Sequence, residues 1–183
     1  MFQALADKIL TGIVSFGMMV LTTTEGNNAS FAEITSTLYG NRIVVKTELV
    51  DAFANDFEEI FRCGKEIEIF FNIKIKAGNQ TIHTNVFKHI VVFDPLEQNF
   101  TVNLEEKNIE ISTNSYEELI EIISQVEYEF ADELNYEQLD VTLVSYLEEI
   151  YLDTLGKDYD MMMLWKFKKP KVNKRIDLGF DES

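Results

Sequence analysis

Two histidines are the residues of this sequence best suited to catalysis or metal binding. His83 and His89 both lie in residues 80–93, where alternating apolar positions predict a strand. They share one face of that strand but are six residues apart, which corresponds to about 20 Å. A single ion cannot bind both, and no cysteine or carboxylate stands at ligand spacing beside either. We therefore expect solvent-facing or hydrogen-bonded histidines and no metal site.

The only cysteine, Cys63, and the acidic residues 132–140 are the other candidates for chemistry. A lone cysteine excludes an internal disulfide, and near the end of a predicted helix it is usually a small buried apolar residue. The acidic stretch could offer oxygen ligands to calcium, but it lacks the alternating ligands, central glycine and final glutamate of an EF-hand loop. We expect a solvated acidic loop.

Sequence motifs of catalysis are missing from the chain. It contains no GxSxG, P-loop, HExxH, CxxC or GxGxxG pattern. An acid–base hydrolase would need two buried carboxylates in one cleft, and nothing distinguishes such a pair among the 32 acidic residues. We expect a protein that is not an enzyme and that uses no cofactor.

The composition indicates a folded and strongly acidic protein. The 183 residues are 46% hydrophobic, and 16 basic against 32 acidic residues give a net charge of −16. A nucleic-acid partner is not expected, because binding the phosphate backbone needs clustered lysine and arginine side chains. The length fits one domain that buries a core without disulfides or metals.

Periodic segments predict the elements that position these residues. Residues 42–49 and 66–76 alternate as strands around a short helix at about 55–60, with Asn55 and Glu58 as its N-terminal caps and Gly64 ending it. A second helix is predicted at about 115–126, with Asn114 or Ser115 as its cap. Further alternating segments, and a late one in residues 139–146 expected at the sheet centre, predict a mainly β fold. We expect an antiparallel β-sandwich with two short helices.

Both ends of the chain carry unusual composition. Residues 1–28 contain an apolar run, Ile9 to Leu21, which fits a secretory signal, a membrane anchor or a packed amphipathic helix. Residues 29–183 are then a single β-rich domain. Its last part, Lys166 to Arg175, holds six of the 16 basic residues and is expected to be a basic tail. Such a tail could bring the chain near an anionic membrane, or simply lie along the protein's own acidic surface.

Four segments of the chain form a recognisable series: AEITSTLYGNRIVVKTEL, NDFEEIFRCGKEIEIFFNIKI, NSYEELIEIISQV and YEQLDVTLVSYLEEI. Over about residues 32–171 they resemble a bacterial family, the domain-of-unknown-function family numbered 4390. The resemblance implies an exported or envelope-associated β-rich domain with an amino-terminal signal, and it supplies no functional residues.

These observations favour a binding or structural module of the cell envelope or periplasm that acts through protein contacts. A packed helix at residues 9–21 would instead favour a cytoplasmic protein. Phe70, on the polar face of the long strand, and Met161 and Trp165 form the expected contact surface. The alternative is a carrier that holds a lipid or another apolar small molecule between its sheets, which requires an apolar cavity of roughly 300 Å³ or more.

Overall fold

A computed structural model describes residues 26–55, 57–131, 136–152 and 157–178. In these ranges the protein is mainly β, with antiparallel sheets and two short helices, as the periodicity predicts. The strands are β1 (Ser30–Phe31), β2 (Thr35–Tyr39), β3 (Arg42–Val50), β4 (Ile67–Ala77), β5 (Gln80–Asp94), β6 (Asn99–Leu104), β7 (Ile109–Thr113), β8 (Gln125–Ala131), β9 (Gln138–Leu147), β10 (Glu149–Leu152), β11 (Lys157–Asp160) and β12 (Lys171–Asp177). The helices are α1 (Phe57–Phe61) and α2 (Tyr116–Ser124), and a 3₁₀ helix spans Met161–Trp165.

The strands form two main sheets. Six strands pair in the order β12-β9-β4-β5-β6-β7, so β9 is a central strand, as predicted. In the second sheet β3 pairs with β1, β2 and β8, and β10 and β11 form a separate hairpin. Every pairing is antiparallel, which suits short strands joined by tight turns such as Gly78-Asn79, where Gly78 has a φ of 55°.

The two main sheets pack face to face as a sandwich. Their inner faces touch through aromatic rings, with centroids 6.4 Å apart for Phe31 and Phe71 and 5.3 Å apart for Phe87 and Tyr128. Both helices lie on this inner side of the six-stranded sheet. The guanidinium of Arg62, just after α1, lies over phenylalanine rings of β5 and β6. A main-chain carbonyl of α2 lies within hydrogen-bonding distance of a histidine of β5. The outer face of the six-stranded sheet carries the exposed residues of β4 and β5.

Most of the predicted helix ends are confirmed. Gly64 follows α1 with a φ of 77°, the left-handed conformation that glycine adopts without strain. Ser115 caps α2 by accepting a hydrogen bond from the Glu118 amide at 3.2 Å. The predicted N-cap at Asn55 is wrong, because this residue has a φ of 58° rather than extended backbone. Its side-chain amide donates to Asn27 Oδ1 at 3.0 Å.

The predicted basic tail is also wrong in its second half. Residues 171–177 form β12 and pair along β9, from Lys171 opposite Val144 to Asp177 opposite Gln138. Alternation explains this placement, because Ile176 is buried while Arg175 and Asp177 are exposed.

The predicted signal, anchor or packed helix at residues 9–21 lies outside the described residues. Within the described ranges, no helix has the length and apolar character needed to cross a membrane.

Candidate functional site

Phe70 is not the exposed apolar residue that the alternation predicts. Its side chain is only 6% exposed, although it lies on the outer face of β4. The ring stacks on Tyr146 of β9, with centroids 5.0 Å apart and planes 14° apart, and the Lys88 ammonium lies 5.0 Å from its centroid. Neighbouring strands therefore supply the cover that the sequence alone did not reveal, and Phe70 itself offers little surface to a partner.

Met161 and Trp165 are also buried, each 1% exposed, so they do not form the expected contact surface. They belong to the 3₁₀ helix, which packs into the core. The Trp165 indole N–H donates to the Ala52 carbonyl at 2.9 Å, and its ring lies 6.1 Å from that of Phe53. Because an amphipathic indole needs a buried acceptor when it leaves water, this contact indicates a packing role.

The two histidines are hydrogen-bonded, as expected. His89 is fully buried: Nδ1 lies 2.8 Å from the Ile123 carbonyl, and Nε2 lies 3.2 Å from Glu106 Oε1. His83 Nε2 lies 2.7 Å from the Tyr128 hydroxyl. Among the described residues, no group of three histidine, cysteine, aspartate or glutamate side chains could hold a metal ion.

Cys63 is buried, as predicted, and burial raises the pKa of its thiol. The first four residues of the acidic loop, 132–135, lie outside the described ranges. Asp140 at its end belongs to β9 and pairs with Arg175 of β12, with Oδ1 and Nε 2.8 Å apart. The hydrogen bond from this guanidinium lowers the pKa of the Asp140 carboxyl.

The outer face of the six-stranded sheet holds a different candidate, a shallow cleft of about 390 Å³ that we call the basic cleft. Four lysines surround it, two from β4, one from β12 and one from the segment before β12. Its lining residues are Asn72, Lys74, Lys76, Thr142, Val144, Tyr146, Lys169 and Lys171. In a chain with a net charge of −16, this is a local concentration of positive charge.

Strand register brings these lysines together. Lys74 of β4 pairs with Thr142 of β9, and Val144 of β9 pairs with both Asn72 of β4 and Lys171 of β12. Because side chains alternate along each strand, all of these residues point to the same outer face. Residues about 100 positions apart in the sequence thus line one cleft.

The positive charge of the basic cleft is not neutralised by nearby carboxylates. Within the described part of the chain, Lys74, Lys76 and Lys171 have no carboxylate oxygen within 4.0 Å. The Asp140 carboxylate pairs with Arg175, and Lys76 also lowers the pKa of that carboxyl. The cleft therefore presents ammonium groups to solvent.

One wall of the basic cleft is aromatic. The Lys169 ammonium lies 4.7 Å from the centroid of the Tyr146 ring, whose other neighbour is Phe70. Burial raises the pKa of Tyr146, and Glu148 adds to that effect while Lys88 opposes it, so the hydroxyl stays neutral near pH 7. Ammonium, hydroxyl and amide donors suit an anionic ligand with oxygen acceptors.

Sequence reasoning missed the basic cleft, although part of its signal was visible. Lys74 and Lys76 alternate with Ile73 and Ile75, which places both lysines on the wet face of the long strand. Nothing in the sequence states that Lys171 belongs to the same sheet. No family model, curated protein or solved structure matches this chain, so the resemblance to the 4390 family stays a prediction.

Proposed function

We propose that this protein is a non-enzymatic binding module that acts through protein contacts, and that the basic cleft receives an acidic segment of its partner. The observation that carries the proposal is the group of four lysines around one cleft on the outer sheet face, in an otherwise acidic protein. Opposite charge steers association and selects partners.

Several features support a protein segment as the occupant. The cleft runs across β4, β9 and β12 and combines lysines with Tyr146 and Val144, so it offers apolar as well as charged contacts. Aromatic and apolar residues beside cations suit a peptide with mixed acidic and apolar side chains. Because the lysines are exposed, each ion pair contributes modestly, about 0.2–1 kcal/mol, and affinity falls as salt rises.

The test uses a fluorescein-labelled peptide of about 15 residues, rich in glutamate with interspersed leucine. Fluorescence anisotropy measures its binding to the full chain at about 50 and 200 mM salt. We expect binding that weakens with salt and that falls at least about tenfold in the double variant Lys74→Gln, Lys171→Gln, as two charge-assisted contacts are lost.

A matched control removes the same amount of charge elsewhere. Lys46→Gln with Lys107→Gln changes two lysines that pair with Glu127 of β8, at 2.8 and 3.7 Å, and that do not line the basic cleft. This variant should bind the peptide like the wild type. Equal losses in both double variants contradict the basic cleft as the site. Tighter binding of a single-stranded oligonucleotide of equal charge identifies the partner as nucleic acid and overturns a protein partner.

A location in the cell envelope or periplasm is a separate part of the proposal, and it rests on the apolar run in residues 9–21. Amino-terminal sequencing of the native protein in fractionated cells tests it. A new terminus near residues 22–28 in the envelope fraction supports export, whereas a start at Met1 in the cytosolic fraction argues against it.

The carrier alternative gains no support from the sandwich interior. The aromatic contacts between Phe31 and Phe71 and between Phe87 and Tyr128 occupy the space where a lipid would have to lie. The basic cleft therefore remains the better basis for function.

A further inference from the structure

The loop that follows the 3₁₀ helix exposes an aromatic ring between lysines. We call residues Lys166, Phe167 and Lys168 the lysine loop. Phe167 is 68% exposed, although a phenylalanine normally leaves water on folding. The lysines on both sides of it are exposed as well. A large apolar side chain framed by cations is typical of segments that meet a membrane surface.

The backbone holds this ring outward at a conformational cost. Lys166 and Phe167 have φ values of 53° and 57°, a left-handed conformation that non-glycine residues rarely adopt. Backbone amides secure it: those of Lys166 and Phe167 donate to the carbonyls of Met163 and Met162, at 3.0 and 2.8 Å. Lys166 is the left-handed C-cap that ends the 3₁₀ helix, and Phe167 continues the same conformation, so the position of the ring is fixed by the helix end.

The chain enters the described domain beside the lysine loop. The backbone amide of Asn27 donates to the Leu164 carbonyl at 2.7 Å, and the Lys166 ammonium donates to Asn28 Oδ1 at 2.9 Å. Gly26 packs so closely that an added Cβ would lie 2.8 Å from the Met163 carbonyl oxygen. The first described residues, 26–28, therefore pack against the 3₁₀ helix and the lysine loop.

We propose that the lysine loop contacts the surface of an anionic lipid bilayer. Phe167 enters the headgroup region, and the ammonium groups of Lys166 and Lys168 pair with lipid phosphates and carboxylates. This contact goes beyond the binding of a protein segment and would leave the basic cleft open to a second partner.

The experiment measures sedimentation of the full chain with vesicles of phosphatidylcholine alone or with about 30% phosphatidylserine. To separate the loop from the apolar run, all variants also carry Ile13→Asp and Phe16→Asp. We expect binding to the anionic vesicles that exceeds binding to the neutral ones and decreases with salt. Lys166→Gln with Lys168→Gln should reduce it about 25-fold, since each lysine near the surface contributes about a factor of five.

Phe167→Gly separates the loss of contact from a loss of fold. Glycine adopts the left-handed backbone conformation without strain, so the melting temperature of this variant should equal or exceed that of the wild type. Its binding to anionic vesicles should fall about fivefold. Leu96→Ala is the matched control, because Leu96 is 64% exposed and remote in sequence. This control should bind vesicles like the wild type.

A tryptophan probe reports insertion directly. In Phe167→Trp, anionic vesicles should shift emission to the blue, and brominated lipids should quench it, while buried Trp165 gives a constant background. Unchanged emission, equal binding to neutral vesicles, or undiminished binding of Phe167→Gly overturns the proposal. A loss in Lys74→Gln, Lys171→Gln as large as that in the loop variant assigns lipid binding to the basic cleft and contradicts both proposals.

Discussion

Replacing Phe70 with alanine tests the structural explanation for an aromatic residue on the outer sheet face. The ring is 6% exposed and lies against Tyr146 and Lys88. Loss of buried apolar area from phenylalanine to alanine contributes about 2–3 kcal/mol. The stacked ring pair adds about 0.5–1.5 kcal/mol, and the cation–π contact adds about 0.5–1 kcal/mol. We therefore expect Phe70→Ala to lower the free energy of unfolding by about 3–5.5 kcal/mol.

Urea denaturation followed by circular dichroism measures this difference, with equal m-values showing that the unfolding transition is comparable. Phe70→Leu keeps most of the apolar area but loses both ring contacts, so it should lose about 1–2.5 kcal/mol. Val86→Ala is the control on the same face, since Val86 is 47% exposed and should change stability by less than about 0.5 kcal/mol. A loss below about 1 kcal/mol in Phe70→Ala, or one equal to that of Val86→Ala, would refute the reasoning.

Three further predictions concern buried or tightly packed groups. The Tyr116 hydroxyl donates to the Phe53 carbonyl at 2.8 Å, and burial raises the pKa of this hydroxyl well above 10.0. Because the folded protein favours the neutral phenol, the free energy of unfolding should be constant below about pH 10 and should fall as the pH rises further. In pH-dependent urea titrations, Tyr116→Phe should lose about 1 kcal/mol at pH 7 and show a smaller alkaline decline; an unchanged decline contradicts this. Cys63 should react with a water-soluble thiol reagent at pH 8 only as fast as the protein opens, because burial raises the pKa of its thiol. Rapid labelling of the native protein would exclude this account. Gly26→Ala should destabilise the protein by about 1–3 kcal/mol in urea, because the new Cβ would meet the Met163 carbonyl oxygen at 2.8 Å; wild-type stability would show that the amino-terminal contact is loose.

Local signals in the sequence were enough to predict most of the elements. Alternation in residues 66–76 predicted β4, and the residues at helix ends predicted the caps at Ser115 and Gly64, because period-two burial and helix capping depend on neighbouring residues alone. The cap at Asn55 failed because the helix begins only at Phe57 and Asn55 has a left-handed φ of 58°, whereas an N-cap residue directly precedes the helix with extended backbone.

The functional surfaces depend on contacts between distant residues. Alternation placed Phe70 on the outer face of β4, but only pairing with β5 and β9 brought Lys88 and Tyr146 over its ring. Register along β9 likewise brought Lys171 beside the lysines of β4.

What the sequence determined by itself is the mainly β character of the chain, its faces and its helix ends. Only the tertiary structure decided that the presumed basic tail divides into an exposed loop at Lys166–Lys169 and the strand β12. It also decided that Phe70, Met161 and Trp165 are buried. The physical reason is that periodicity states which side chains share a face, whereas burial depends on which distant strand or helix covers that face.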